Sequence, residues 1–153
     1  MTSVTQKNPI RLFVAHLWAE DDDYHRIFEY LESTPNFYYL NTSKPDQRPA
    51  GDTEALRESL RQQIGEAEVV IIPAALYRRN IDWVEFQMHC AKAFDKPLVV
   101  LEPFGAADTI APAVQELADD VVPWDQRQLA DSIKRQARHE ETTRFDVIDF
   151  KLD

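Results

Sequence analysis

The sequence predicts an α/β protein built on a parallel sheet, and three observations carry that prediction. Continuous apolar runs recur at residues 10–17 (IRLFVAHL), 67–75 (AEVVIIPAA) and 97–102 (PLVVLE), the signature of strands buried on both faces. Segments with the 3.6-residue period of amphipathic helices lie between them. The two kinds of segment alternate along most of the chain, as parallel strands joined by helical crossovers require. A length of 153 residues, 44% of them apolar, suits one domain with a real core.

Taken in order, residues 10–17 form the first strand, with Phe13 and Val14 at its centre. Asp21, Asp22 and Asp23 then sit where a helix N-terminus favours negative charge. Tyr24, Ile27, Phe28 and Leu31 give the i, i+3, i+4, i+7 spacing of one helix face, and Pro35-Asn36 ends it. Phe37, Tyr38, Tyr39 and Leu40 make a short aromatic strand. Residues 44–52 hold Pro45, Pro49 and Gly51 and read as a loop of about nine residues, longer than most connections. Thr53 opens a helix carrying Leu56, Leu60, Gln63 and Ile64, closed by Gly65. Residues 67–75 are the most hydrophobic strand and hence central, and Tyr77-Arg78-Arg79-Asn80 connects onward. After the strand at 97–102 come a weak helix at 112–118, an edge strand at 121–124 where Pro123 is tolerable, and a closing helix at 125–139.

The segment from Asp82 to Phe94 reads as one helix with Asp82 as N-cap. At about 100° per residue, Trp83, Gln87, Cys90, Ala91 and Phe94 fall on one stripe. Gln87 is the polar exception on that stripe, so its amide is either satisfied by nearby backbone or lines a pocket. Glu85 lies roughly 200° round from Trp83, which points it at solvent.

For a single small α/β domain the flavodoxin-like, doubly wound, five-stranded order 2-1-3-4-5 fits best, and ligands then bind beyond the carboxyl ends of the strands, at the switch point. Residues gathered there by this order are His16, Trp18, Asn41, Ser43, Tyr77 and Trp83. An aromatic and amide-rich set of this kind suits stacking on a ring and hydrogen bonding to ribose. The three glycines, Gly51, Gly65 and Gly105, do not follow the first strand, which excludes a dinucleotide glycine fingerprint and a P-loop. Leu-Trp-Ala-Glu-Asp-Asp-Asp after that strand would repel a flavin phosphate, and Pro73-Ala74-Ala75 offers no phosphoacceptor aspartate. His16, His25, His89 and His139 are scattered over different elements, so no metal site is expected.

Against 17 basic residues stand 27 acidic ones, a net charge of −10, which argues against nucleic-acid binding. No apolar run approaches a membrane span, residues 1–9 are polar, and the single Cys90 can form no internal disulfide. A cytoplasmic protein without membrane attachment is the expectation.

Phe13-Val14-Ala15-His16-Leu17-Trp18, followed by Asp22, Asp23 and Tyr24, resembles the opening of TIR-like domains. Asn41-Thr42-Ser43 is similar to the second-strand end of the TIR-like subunits of Thoeris anti-phage systems. Residues 56–64 before the aliphatic strand, Asp82-Trp83-Val84, and Lys96-Pro97-Leu98-Val99-Val100 continue the likeness. It implies a TIR-like domain over residues 10–139, followed by an acidic tail, 140–153, that serves as an edge strand or a partner-docking segment. It also implies cleavage of the nicotinamide–ribose bond of NAD+, with no prosthetic group, to give an ADP-ribose-derived signal read by an effector protein. Homo-oligomers occur in the family.

In that reading Gln87 stands where the family has its catalytic glutamate, while His16, Asn41 and Ser43 position ribose and phosphates and Trp18, Tyr77, Asp82 and Trp83 shape the pocket. A glutamine binds hydroxyls but does not neutralise the oxocarbenium charge, a loss of roughly 3 kcal/mol or more. Three explanations stay open: an engineered glutamate-to-glutamine change, a naturally non-catalytic module, or a role for Glu85. The first is favoured by how well the rest of the pocket is equipped for a nucleotide. Beside the NAD+-cleaving enzyme stand two alternatives, a non-catalytic TIR-like assembly module and a nucleoside or nucleotide N-glycosidase.

Overall fold

The computed structural model describes residues 4–105 and 109–139. In chain order it contains β1 (Ile10–Val14), α1 (Asp22–Glu32), β2 (Tyr39–Asn41), α2 (Thr53–Gly65), β3 (Val69–Pro73), α3 (Ala74–Arg79), α4 (Ile81–Ala93), β4 (Leu98–Leu101), α5 (Pro112–Leu117), β5 (Asp120–Val122) and α6 (Gln126–Arg138). The five strands form one sheet in the order β2-β1-β3-β4-β5, and every neighbouring pair is parallel. This is the flavodoxin-like, doubly wound arrangement the alternation of segments predicts.

Why β3 and β4 are apolar throughout, and β1 at every position but Arg11, is visible in the two-residue period. Ile10, Leu12 and Val14 of β1 join Val69 and Ile71 of β3 in a core under α1 and α6. Phe13, with Val70 and Ile72, joins the opposite core under α2, α3, α4 and α5. Each fully buried aliphatic side chain contributes about 1.5–3 kcal/mol, so a strand between two helical layers has no position to spare for a polar residue. Four helices start on a side-chain cap: Asp21, Asp52, Asn80 and Asp125 accept from the backbone N–H of Tyr24, Ala55, Trp83 and Gln128. Such a cap is worth about 1 kcal/mol.

Several boundaries differ from the sequence reading. The apolar run at 67–75 is strand only to Pro73; Ala74, Ala75 and Leu76 are strong helix formers and begin α3, which also takes in the residues read as a connection. The first strand stops at Val14, leaving His16 beyond the ladder. The second strand is Tyr39–Asn41, so it takes in only Tyr39 and Leu40 of the run read at 37–40, and β5 begins at Asp120. Helix α4 is capped by Asn80, not Asp82, because Asn80 Oδ1 accepts the Trp83 N–H at 3.2 Å. The tail at 140–153 lies outside the described residues. No helix among the described residues is long and apolar enough to cross a membrane.

At the N-terminal edge of the sheet, Arg138 at the end of α6 ties the layers together. Its guanidinium forms a bidentate pair with Glu68 (2.8 and 2.9 Å) and donates to the carbonyls of Asn8 and Pro9. Burial pushes the Glu68 carboxyl up, but Arg138 and Arg11 outweigh it and hold its pKa below the usual value.

Candidate functional site

The switch point lies at the carboxyl ends of β1 and β3. From β1 the chain turns back through α1 on one face, and from β3 it continues into α3 and α4 on the other. The residues left at this edge fall into three hydrogen-bonded groups.

Gln87 organises the first. It is 0% exposed, its Oε1 accepts from the His16 backbone N–H at 3.1 Å, and its Nε2 donates to the carbonyls of His16 at 2.8 Å and Trp83 at 3.1 Å. Of the two options open to this amide, satisfaction by backbone is what the structure shows. It caps the loose end of β1, where no strand partner reaches His16. A carboxylate here would keep the bond from His16 N–H but face two carbonyl oxygens with no hydrogen to offer. The His16 ring packs beside it, 2% exposed. Its Nδ1 accepts the Trp18 N–H at 3.1 Å, which puts the ring hydrogen on Nε2, 2.9 Å from Gln63 Oε1. Burial lowers the His16 pKa, against a smaller opposing effect of the Gln63 bond, and keeps the imidazole neutral. Trp18 takes a left-handed backbone, φ 62°, and its ring meets His16 edge-on at 4.8 Å.

Gln63 extends this web. Its Oε1 also accepts the Lys44 N–H at 2.8 Å, its Nε2 donates to Ser59, and its own carbonyl accepts from the Thr42 hydroxyl. The second group is Tyr24, Asn41 and Ser43. Asn41 Nδ2 donates to the Tyr24 hydroxyl at 2.9 Å, the Ser43 N–H and hydroxyl both reach Asn41 Oδ1, and Ser43 Oγ lies 2.8 Å from the Tyr24 oxygen. Burial raises the Tyr24 pKa, so its hydroxyl keeps its hydrogen. Both groups brace the strand ends, with His16, Gln87, Tyr24 and Ser43 buried and Asn41 exposed.

The third group opens outward. A cleft of about 460 Å³ between the N-terminal halves of α2 and α4 is lined by Thr53, Arg57, Asp82, Trp83, Glu85 and Phe86. Trp83 and Phe86 meet edge-to-face at 5.9 Å along one wall. Glu85, which the helical phase pointed at solvent, is half-buried and accepts the Tyr77 hydroxyl at 3.0 Å. That bond to Glu85 raises the Tyr77 pKa. Asp82 and Trp83 thus line this cleft and Tyr77 reaches it through its bond to Glu85, while His16, Trp18, Asn41, Ser43 and Gln87 are not among its lining residues. On the far side of the edge, Arg79 and Asp21 join α3 to α1 at 2.7 Å.

Sequence reasoning missed Arg57, Phe86 and the orientation of Glu85. For Phe86 a signal existed, since it follows Trp83 by one helical turn. The cleft presents two carboxylates, one guanidinium and two aromatic faces. Such a set favours a ring ligand and a positive charge developing beside it. Among the described residues no group of three or more His, Cys, Asp and Glu side chains stands close enough to hold a metal ion.

Fold and site together define a flavodoxin-like α/β protein with a carboxylate-and-aromatic cleft beside its switch point. No family model matches the chain, and no curated protein matches it. Among solved structures, that of the Clostridium botulinum CMP N-glycosidase BcmB is similar, with 13% sequence identity, 80% of this chain and 96% of that chain covered, and a TM-score of 0.49. At that identity and score the likeness assigns no residue a role.

Proposed function

We propose that the chain breaks the N-glycosidic bond of a nucleotide, with Glu85 as the carboxylate beside the ribose. The observation that supports this is Glu85 Oε2 held by the Tyr77 hydroxyl at 3.0 Å in a cleft that also carries Trp83, Phe86 and Asp82. In such cleavage the bond between ribose C1′ and the ring nitrogen breaks and its electron pair leaves with the ring. C1′ passes through an oxocarbenium-like state that a fixed carboxylate stabilises. A water oxygen then bonds to C1′, and its proton passes to solvent.

NAD+ is the leading substrate. Its nicotinamide ring is cationic before cleavage and neutral after it, so the leaving group needs no proton. Trp83 and Phe86 offer faces to the cation, and Asp82 and Glu85 offer charge. The TIR-like resemblance supports the same substrate, and with it an ADP-ribose-derived product serving as a signal in anti-phage immunity. A second reading, a nucleoside monophosphate, is favoured by the cleft's size of about 460 Å³ and by Arg57 at its rim, which matches one phosphate.

The test incubates the protein with NAD+, with nucleoside monophosphates and with nucleosides, and follows the released base by chromatography and mass spectrometry. Release of nicotinamide or of a base is expected, reduced about 10²-fold or more in Glu85→Gln and about tenfold in Tyr77→Phe. Turnover gained only by Gln87→Glu would overturn the role of Glu85 and return the carboxylate to position 87. No release from any substrate at high enzyme concentration would overturn the enzymatic reading in favour of a non-catalytic assembly module.

A further inference from the structure

The two outer strands end the sheet in different ways. Beside β5 the edge is closed by side chains. The Val122 carbonyl accepts from the Glu102 N–H across β4, so in the alternation of a parallel ladder the main chain of Val121 faces outward. Its N–H is taken by Asp120 Oδ1 at 3.0 Å. Ser132 and Arg135 of α6 hold the other oxygen of that carboxylate at 2.6 and 2.8 Å. Pro123 follows and has no N–H to offer. An edge managed in this way is protected against a further strand.

Beside β2 no such cover stands among the described residues. The Ile10 N–H donates to the Tyr38 carbonyl at 3.0 Å and the Thr42 N–H to the Leu12 carbonyl at 2.8 Å. The main chain of Tyr38, Leu40 and Thr42 therefore faces β1, and that of Tyr39 and Asn41 faces away, where the sheet has no strand. The Asn41 side chain is turned to Tyr24 and Ser43 and does not close its own edge. Tyr39 packs into the core under α1 and α6, so Leu40 lies on the opposite face of the sheet, and it is 56% exposed. An apolar side chain on an open strand edge is a template for a further strand.

The chain itself comes close to this edge. Helix α6 ends at Arg138, whose guanidinium bonds the carbonyls of Asn8 and Pro9, and the next residue, Ile10, pairs with Tyr39 of β2. A strand beyond β2 lies two strand spacings from β1, about 10 Å, and the five residues 140–144 span up to about 17 Å. Direction and hand agree with this path. Helix α6 runs back from the carboxyl end of β5 to the amino end of β1, so a strand that follows it starts out parallel to β2. Its connection crosses the same face of the sheet as β1–α1–β2, and in the same sense, which gives it the same hand; a return to the outer side of β5 takes the other hand, which parallel crossovers avoid. Residues 145–152 carry a partly alternating pattern that sets Ile148, Phe150 and Leu152 on one face.

We propose that residues 145–152 add to β2 as a sixth parallel strand, with Ile148, Phe150 and Leu152 covering Leu40. The sequence leaves this segment two roles, edge strand or partner docking. The closed edge at β5, the open one at β2 and the exit of α6 beside β1 select the first role and its place.

Amide hydrogen exchange of the intact chain, followed residue by residue by NMR, reads the outward N–H groups directly. Those of Tyr39 and Asn41 should exchange about tenfold or more slowly than in the Ile148→Asp/Phe150→Asp variant. Leu40→Asp should speed them in the same way. The Val70 N–H, bonded to the Pro97 carbonyl inside the sheet, should keep its rate in every variant and so report that each is folded. Fast exchange at Tyr39 and Asn41 in the wild type overturns the proposal, as does slow exchange that survives Ile148→Asp/Phe150→Asp. Protection that disappears on dilution from about 200 to 5 µM overturns it by assigning the added strand to a second copy.

Discussion

Helices α4 and α6 have the same length, 13 residues, and lie on opposite faces of the same sheet. Each buries one polar residue completely, Gln87 in α4 and Ser132 in α6. They differ in what those residues hold and in what the helices show to the outside. Ser132 donates to Asp120 on β5 at 2.6 Å, a side-chain contact beside the Arg135–Asp120 ion pair. Gln87 instead grips main-chain atoms of His16, 71 residues away. Outside, α6 presents Arg127, Gln128 and Lys134, whereas α4 carries half-buried Trp83 and Phe86 along the flank that faces α2. The first is an ordinary surface helix. The second sets two aromatic rings along the wall of the cleft, and departures of this kind are expected at functional sites.

The largest effect should come from the two buried polar groups. Gln87→Glu places a carboxylate against two carbonyl oxygens and should cost about 3–5 kcal/mol in urea unfolding, while Ser132→Ala should cost only about 1 kcal/mol. A Gln87→Glu variant as stable as the wild type would show that the amide is not a clamp and would erase the contrast between the helices. Next come the apolar inner faces, where the two should agree. Met88→Ala and Leu129→Ala, both at fully buried positions, should each lose about 2–5 kcal/mol.

Acid should separate the two sides. The His16 pKa is lowered by burial, so the unfolded chain takes up a proton first, at about pH 6.5. The stability contributed by neutral His16 is therefore complete above about pH 6.5 and declines as pH falls towards the folded value. At the α6 end the Glu68 pKa is also lowered, with the favourable pairing to Arg138 outweighing burial. Its contribution is intact above about pH 4.5 and is lost only below that. Unfolding midpoints at pH 7.5, 5.5 and 4 should thus fall in two stages, and His16→Gln should remove the first. The smallest effect belongs to the outer face of α6, where Lys134→Ala should stay within about 0.5 kcal/mol. Trp83→Ala should stay folded by circular dichroism and, under the proposed function, release less base or nicotinamide in the chromatographic assay.

The strands were legible because runs such as residues 69–73 and 98–101 allow no face to be polar, and the acidic run at 21–23 marked the start of α1 by residue type, whereas the cap read at Asp82 proved to be Asn80. Helix α3 was not, since a continuous apolar run carries no period that tells strand from helix. The misreading of Glu85 has a more specific cause. Helical phase was set by taking Trp83 and Phe94 as inward, but the buried face is that of Val84, Met88 and Ala91. Because α4 is apolar both towards the sheet (Val84, Met88, Ala91) and towards α2 (Trp83, Phe86), its pattern does not say which of the two sides is the inner one. The backbone partners of Gln87 are set only by tertiary structure, so the sequence could name its two options and not choose between them.

The guanidinium of Arg138, the last residue of α6, bonds the residues that lead into β1, at the edge of the sheet opposite the cleft. The described domain is therefore almost a closed ring in space, entered and left through the reach of a single side chain. A fold with that geometry can be spliced beside another domain, repeated in tandem or circularly permuted with a short connector. In each case the added chain hangs from the edge opposite the Glu85 cleft.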